Sequence, residues 1–136
     1  MEDAVARYCA AVEAGDLAAL AATLAPDVEL PSPVIGRARF RGREDVTALL
    51  AAVYGMLHDI RWDPPIGDGA QRLAIAEARV GPMRIDDAMV FELDADARIA
   101  RIRPHLRPLL AMILFFLMMG PRIVRTPGVL VRALRS

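Results

Sequence analysis

QRLAIAEARV (residues 71–80) and MRIDDAMVFEL (residues 83–93) are separated by Gly81-Pro82. A Gly-Pro pair marks a turn, so the two runs read as a hairpin. In the second run Ile85, Asp87, Met89, Phe91 and Leu93 occupy alternate positions. Side chains alternate sides along a strand, so these five share one face. That face is apolar apart from Asp87. Downstream, Asp94-Ala95-Asp96-Ala97 makes a second connection and residues 98–106 return as a last strand. Upstream, residues 58–63 form a strand closed by Pro64-Pro65, and Gly67-Asp68-Gly69 turns the chain back. The second half of the chain is therefore an antiparallel meander.

The first half has the helical period instead. In residues 2–14, Val5, Tyr8, Cys9 and Val12 fall at i, i+3, i+4 and i+7. Gly15 ends this helix. Asp16 caps the next, whose stripe is Leu17, Leu20, Ala21 and Leu24 before Pro26 stops it. Val28-Glu29-Leu30 is at most a short strand, cut by Pro31 and Pro33. Residues 36–42 are a basic strand or loop. Residues 45–57 are a third helix, with Val46, Leu49, Leu50, Val53 and Leu57 facing inward. Helices followed by a meander define an α+β domain with the helices on one face of the sheet.

At 136 residues the chain fits one domain with a real core. Its single cysteine, Cys9, excludes an internal disulfide and reads as a small buried hydrophobe. The N-terminus lacks a basic region followed by an apolar run, so the cytoplasm is the default location. Charge is unevenly spread. Residues 1–100 carry ten Arg against seventeen Asp and Glu, whereas residues 101–136 carry seven Arg and no acid. Residues 109–119 are eleven apolar residues in a row. A spanning helix needs about twenty. This tail is expected to pack as a helix over the domain or against a second subunit. Its alternative role is peripheral docking on an anionic membrane surface. The alternating Arg37, Arg39, Arg41 and Arg43 have no aromatic platform beyond Phe40. They read as a solvated edge strand rather than a nucleic-acid site.

Taken together, these segments resemble the nuclear transport factor 2-like superfamily, in particular its SnoaL-like polyketide-cyclase and ketosteroid-isomerase-like branches. The resemblance is carried by Ala6-Arg7-Tyr8, Gly15-Asp16-Leu17, Ala25-Pro26-Asp27, Ser32-Pro33-Val34, Phe40-Arg41-Gly42-Arg43-Glu44, residues 93–99 (LDADARI) and Arg107-Pro108. It covers roughly residues 2–108, which are taken as the domain, with residues 109–136 as an apolar, basic extension. It implies a cone-shaped, cystatin-like fold, N-terminal helices on a curved antiparallel sheet, one open mouth, and a homodimer through the outer sheet face. It also implies a pocket for a small hydrophobic molecule. Isomerases, cyclases and epoxide hydrolases share the fold with non-catalytic members, so the resemblance alone does not assign a reaction.

Two residues are the candidate catalytic groups. Tyr8 falls where the steroid isomerases place a phenol that donates to a developing oxyanion. Asp87, on an apolar face, should have a raised pKa and could donate a proton or hydrogen bond. A gapless match through residues 94–99 puts the family's acid at Met89 instead, one pleat away. The isomerase base position falls on Ser32, which cannot act as a carboxylate base. Asp59 and Asp63 are the nearest alternatives, with solvated strand ends as their plainer reading. The pocket lining is expected to include Leu24, Ser32, Leu50, Trp62, Met89 and Ile102. His58 and His105 belong to no ligand spacing, so no metal and no cofactor is expected. No Asp stands two residues after Arg101 or Arg103, which disfavours the epoxide-hydrolase reaction.

Overall fold

The computed structural model describes residues 3–135; Glu2, the expected start of the first helix, lies outside them. Helix α1 (Ala4–Ala14) begins where the Asp3 carboxylate accepts a hydrogen bond from the Val5 amide at 2.9 Å. A side-chain oxygen there satisfies an amide that the first helical turn leaves unpaired. Gly15 ends the helix at φ +70°, a left-handed conformation that favours glycine. From there the amides of Gly15 and Asp16 donate back to Val12 and Ala11 at 3.1 and 2.9 Å. Asp16 then caps α2 (Leu17–Ala22) by accepting from the Ala19 amide at 3.0 Å.

The sequence reading ran this second helix on to Leu24. The chain instead leaves it at Thr23, whose buried hydroxyl donates to the Leu20 carbonyl at 2.7 Å. Leu24 opens β1 (Leu24–Pro31), much longer than the three residues expected. The prolines are tolerated because β1 is irregular. Its parallel pairing with β6 (Ile99–Arg103) shifts register between Leu24 and Glu29, where Pro26 falls. Proline cannot donate to a ladder, so it collects where the ladder is broken.

Beyond β1 come the edge strand β2 (Arg39–Arg41), α3 (Arg43–Met56) and β3 (Leu57–Trp62). The hairpin strands β4 (Gln71–Val80) and β5 (Met83–Leu93) follow, paired in continuous register from Gln71↔Glu92 to Val80↔Met83. The last strand is not continuous over residues 98–106. Proline at 104 lacks an amide hydrogen, so β6 stops at Arg103 and pairing resumes in β7 (Leu106–Arg107). The sheet order is β2-β1-β6-β5-β4-β3, with β7 also on β5. Acidic Glu44 and Asp45 in the first turn of α3 suit the positive end of its dipole. The Arg43 guanidinium donates twice to the Leu24 carbonyl, at 3.1 and 2.6 Å, and so ties α3 to β1.

The helices cover the concave face of a curved sheet. Val5 and Tyr8 of α1, Val46 and Leu50 of α3, and Ile85, Met89, Phe91 and Ile102 of the sheet form one buried core. The tail continues this layer. Helix α4 (Leu109–Val124) runs past Gly120-Pro121, its expected limit. Residues 127–135 form a further helix, α5 (Pro127–Arg135), with Pro127 at its first position, where a missing amide hydrogen does no harm. Arg132 of α5 makes a two-pronged ion pair with Asp45 of α3, both contacts at 2.8 Å. That pairing holds the Asp45 carboxyl below the usual carboxylate range.

Phe91 is fully buried on β5 beneath α1. Phe91→Ala is expected to lower stability by about 3–5 kcal/mol, read as a lower urea midpoint with an unchanged slope.

Candidate functional site

Alternation along β5 turns Ile85, Asp87, Met89 and Phe91 toward the helices. Ile85 and Phe91 are consumed by packing. Asp87 and Met89 instead border a cavity of about 340 Å³. Leu49, Leu50 and Val53 of α3 form its second side, and Leu30, Ser32 and Phe40 contribute from β1, its following turn and β2. Phe115, Phe116 and Met119 of α4 close it over, with Leu130 of α5 at the margin. Among the described residues Asp87 is the one ionisable side chain on this wall. A second, more polar hollow of about 410 Å³ shares Ser32, Pro33, Pro104 and Leu106 with the first and adds Arg103 and His105.

The Asp87 carboxylate accepts a hydrogen bond from the His105 amide at 3.0 Å. Burial pushes its pKa up to about 6, against the opposing pull of that hydrogen bond and of the His105 ring charge. Near neutrality the group therefore exchanges between a neutral acid, which can donate, and a carboxylate.

Tyr8 lies behind this wall. Its ring is fully buried, edge-on to Phe91, Trp62 and Tyr54 at centroid distances of 5.1, 6.1 and 6.4 Å. Its hydroxyl meets the Tyr54 hydroxyl at 2.6 Å, and Tyr54 donates to the Met89 sulfur at 3.7 Å. Tyr54 has one hydroxyl hydrogen, so the chain runs Tyr8 to Tyr54 to Met89. Burial raises both phenols well above their ordinary value, so both stay protonated at neutral pH. Tyr54 was not singled out from the sequence, although it sits four residues after Leu50 and therefore on the same helix face.

The other candidate residues divide in the same way. Ser32, Leu50 and Met89 are on the cavity wall. The Ser32 hydroxyl accepts from the amides of Val34 and Ile35 at 3.2 and 3.1 Å, which fixes the turn at the mouth. Leu24 and Ile102 are fully buried in the core and lie outside the wall. Trp62 packs against Tyr8 and also lies outside it. Leu24 was read on a helical stripe but opens β1, and strand alternation, which applies to Ile102, fixes which side of the sheet a residue faces, not how far along the trough it sits. Asp59, Asp63 and His58 are exposed. Among the described residues no group of three His, Cys, Asp or Glu side chains could hold a metal ion. Cys9 is buried, and burial pushes its thiol up to about 12, which leaves it unreactive.

The curved sheet and the helices over its concave face define a nuclear transport factor 2-like fold with a cystatin-like sheet. Residues 5–102 match the SnoaL-like domain family, and the chain belongs to that family. It is similar to a bacterial protein of cystatin-like fold from Silicibacter pomeroyi DSS-3, with 23% identity and a TM-score of 0.88. That match covers 98% of this chain and 95% of the other. It is also similar to a steroid delta-isomerase from Pseudomonas aeruginosa, with 23% identity, a TM-score of 0.82, and 92% of each chain covered. An LEH-like epoxide hydrolase from M. tuberculosis matches with 25% identity and a TM-score of 0.60, over 90% of this chain and 93% of that one. No curated protein matches the sequence.

Two measurements check this site. An unfolded Asp ionises near pH 4, the folded Asp87 near 6. Between those values only the folded state keeps the proton, so stability falls as pH rises from about 4 to about 6 and is flat above. Asp87→Asn keeps an oxygen for the His105 amide but cannot ionise. It is expected to gain about 1–2 kcal/mol at pH 7.5 and nothing at pH 4, measured by denaturant titration at both. Tyr8→Phe removes one buried hydrogen bond and is expected to cost about 1–2 kcal/mol with the cavity retained.

Proposed function

We propose that the protein binds a small, hydrophobic molecule in the cavity between α3, α4 and β5, with Asp87 pairing to one polar group of that molecule. The observation that carries this reading is a largely apolar wall interrupted by a single carboxyl whose proton is held to about pH 6. A volume of about 340 Å³ suits a molecule of drug-like size. Methionine and phenylalanine side chains from α4 and β5 give it an adaptable, polarizable lining. Leu50, Met89 and Ser32 are the contacts beside Asp87; Leu24, Trp62 and Ile102 support the wall from behind.

A second reading is a carbonyl-polarising enzyme of the isomerase or cyclase kind. Its support is the Tyr8–Tyr54 hydroxyl pair at 2.6 Å, which ends on Met89 at the cavity wall. In that reading neutral Asp87 donates to the ligand's oxygen, and a shift of Met89 admits Tyr54 and Tyr8 to the same atom. Ser32 stands at the base position of steroid isomerases, so steroid isomerisation is not the reaction proposed. The binding reading is preferred because the hydroxyl pair is already satisfied behind the wall. The cytoplasm as location, and a homodimer through the outer sheet face, are part of the same proposal.

The test is titration with N-phenyl-1-naphthylamine, an apolar fluorophore that brightens out of water. Saturable enhancement at one site per chain is expected. Leu50→Trp fills the cavity and is expected to weaken it by tenfold or more, about 1.4 kcal/mol. Unsaturable binding, or an unaffected variant that retains its fold, overturns the reading. For ketone-bearing ligands, affinity is expected to drop as pH rises through 6, because the donor is lost. Tyr8→Phe separates the second reading: it is expected to cut turnover of a ketone substrate only if the hydroxyls take part.

A further inference from the structure

Helix α4 has two apolar faces. Ala111, Phe115 and Met119 point inward and are buried. On the opposite side Leu110, Ile113, Leu117 and Val124 recur at helical spacing and are 67%, 47%, 70% and 65% exposed. A surface helix ordinarily has one apolar stripe and a polar back. Four large hydrophobes aligned on the solvent side are a patch that something covers.

Charge selects the occupant. Arg122 lies in the last turn of α4 and Arg125 is its C-cap. Arg132, Arg107 and Arg103 are paired to Asp45, Asp86 and Glu92 on the acidic body. Among the described residues, no carboxylate pairs with Arg122 or Arg125; one Arg122 nitrogen donates to the Met118 carbonyl at 2.9 Å. Residues 101–136 contain no acid. In a two-fold contact between copies this face would meet itself, so each partner would bring Arg122 and Arg125 and no tail carboxylate to neutralise them. An anionic surface with an apolar interior matches both halves of the patch.

Length fixes how the helix would sit. At 1.5 Å per residue the 16 residues of α4 reach about 24 Å, short of a hydrocarbon core of about 30 Å. Helix α5 leaves at 107°, and no single described helix is long and apolar enough to cross. We infer that the outer face of α4 docks in the plane of an anionic lipid bilayer, with Leu110, Ile113, Leu117 and Val124 in the acyl boundary and Arg122 and Arg125 at the headgroups. This docking stands whether or not a ligand enters the cavity. If one does, α4 is the single layer between cavity and lipid.

The test is co-flotation of the ligand-free full chain with vesicles of equal parts phosphatidylglycerol and phosphatidylcholine, or of phosphatidylcholine alone. Flotation with the anionic vesicles only is expected. Ile113→Ser combined with Leu117→Ser is expected to abolish it, as is Leu110→Gln combined with Leu117→Gln. All of these positions face outward, so thermal midpoints should be unchanged. Arg122→Gln with Arg125→Gln is expected to weaken partitioning by about fivefold per guanidinium. No flotation, equal flotation with both vesicles, or retention of flotation by a folded double variant overturns the inference. So does a dimer in light scattering that the Ser substitutions dissociate, which would make a second copy the occupant.

Discussion

The edge-to-face packing of Tyr8 against Phe91 joins α1 to the middle of the sheet, and most of the interior is arranged around it. Tyr54 from α3 and Trp62 from β3 complete the cluster, so four elements converge on one fully buried ring. Burying a phenol creates an obligation, because an unpaired hydroxyl in this core would be costly. Tyr54 meets it, and its own hydrogen ends on the Met89 sulfur. The cluster therefore fixes α3 at a set distance from β5. What separates the two beyond Met89 is the trough. The cavity is thus not a packing defect. It is the space left when an aromatic cluster at one end holds helix and sheet apart and α4 bridges the other end.

The position of Asp87 follows from the same geometry. Two residues toward the turn from Met89, it has passed the aromatic cluster and reached the hollow, where the His105 amide supports it. Met89 occupies the place nearest the hydroxyl chain. A sulfur there is a weak acceptor and no acid, so the donor chain and the acidic group are separated rather than merged. That separation, with Ser32 engaged in its own turn, is what the proposed binding reading rests on, on a scaffold that hosts unrelated chemistries.

How much of this was legible in the sequence depended on whether the signal was local. The β4–β5 hairpin carries its own alternation and its own Gly-Pro turn, and its limits could be read to the residue. The end of α1 at Gly15 and the capping of α2 by Asp16 are equally local, whereas the Asp3 cap was overrun because the helix was started at residue 2. β1 was underestimated because its partner, β6, lies some seventy residues away, and its prolines argue against a strand unless the bulge that absorbs Pro26 is known. The run at residues 109–119 announced a helix but not its two faces, because a continuous apolar run has no periodicity to read. Within the site, Asp87 and Met89 could be placed on the correct face. Leu24, Trp62 and Ile102 could not be placed in depth, and Tyr54 was missed because a single aromatic inside an already apolar helix adds no contrast.

Helices α4 and α5 follow every other element in chain order, yet they complete the wall of the hollow and strap themselves to Asp45, 87 residues upstream of Arg132. A ribosome therefore delivers the trough first and its roof afterwards. During that interval the greasy flanks of α3 and β5 face water, and the strap has no anchor to reach for until α3 is in place. Assembly runs from floor to lid, because α4 and α5 reach the hollow only after α3 and β5 have been synthesised.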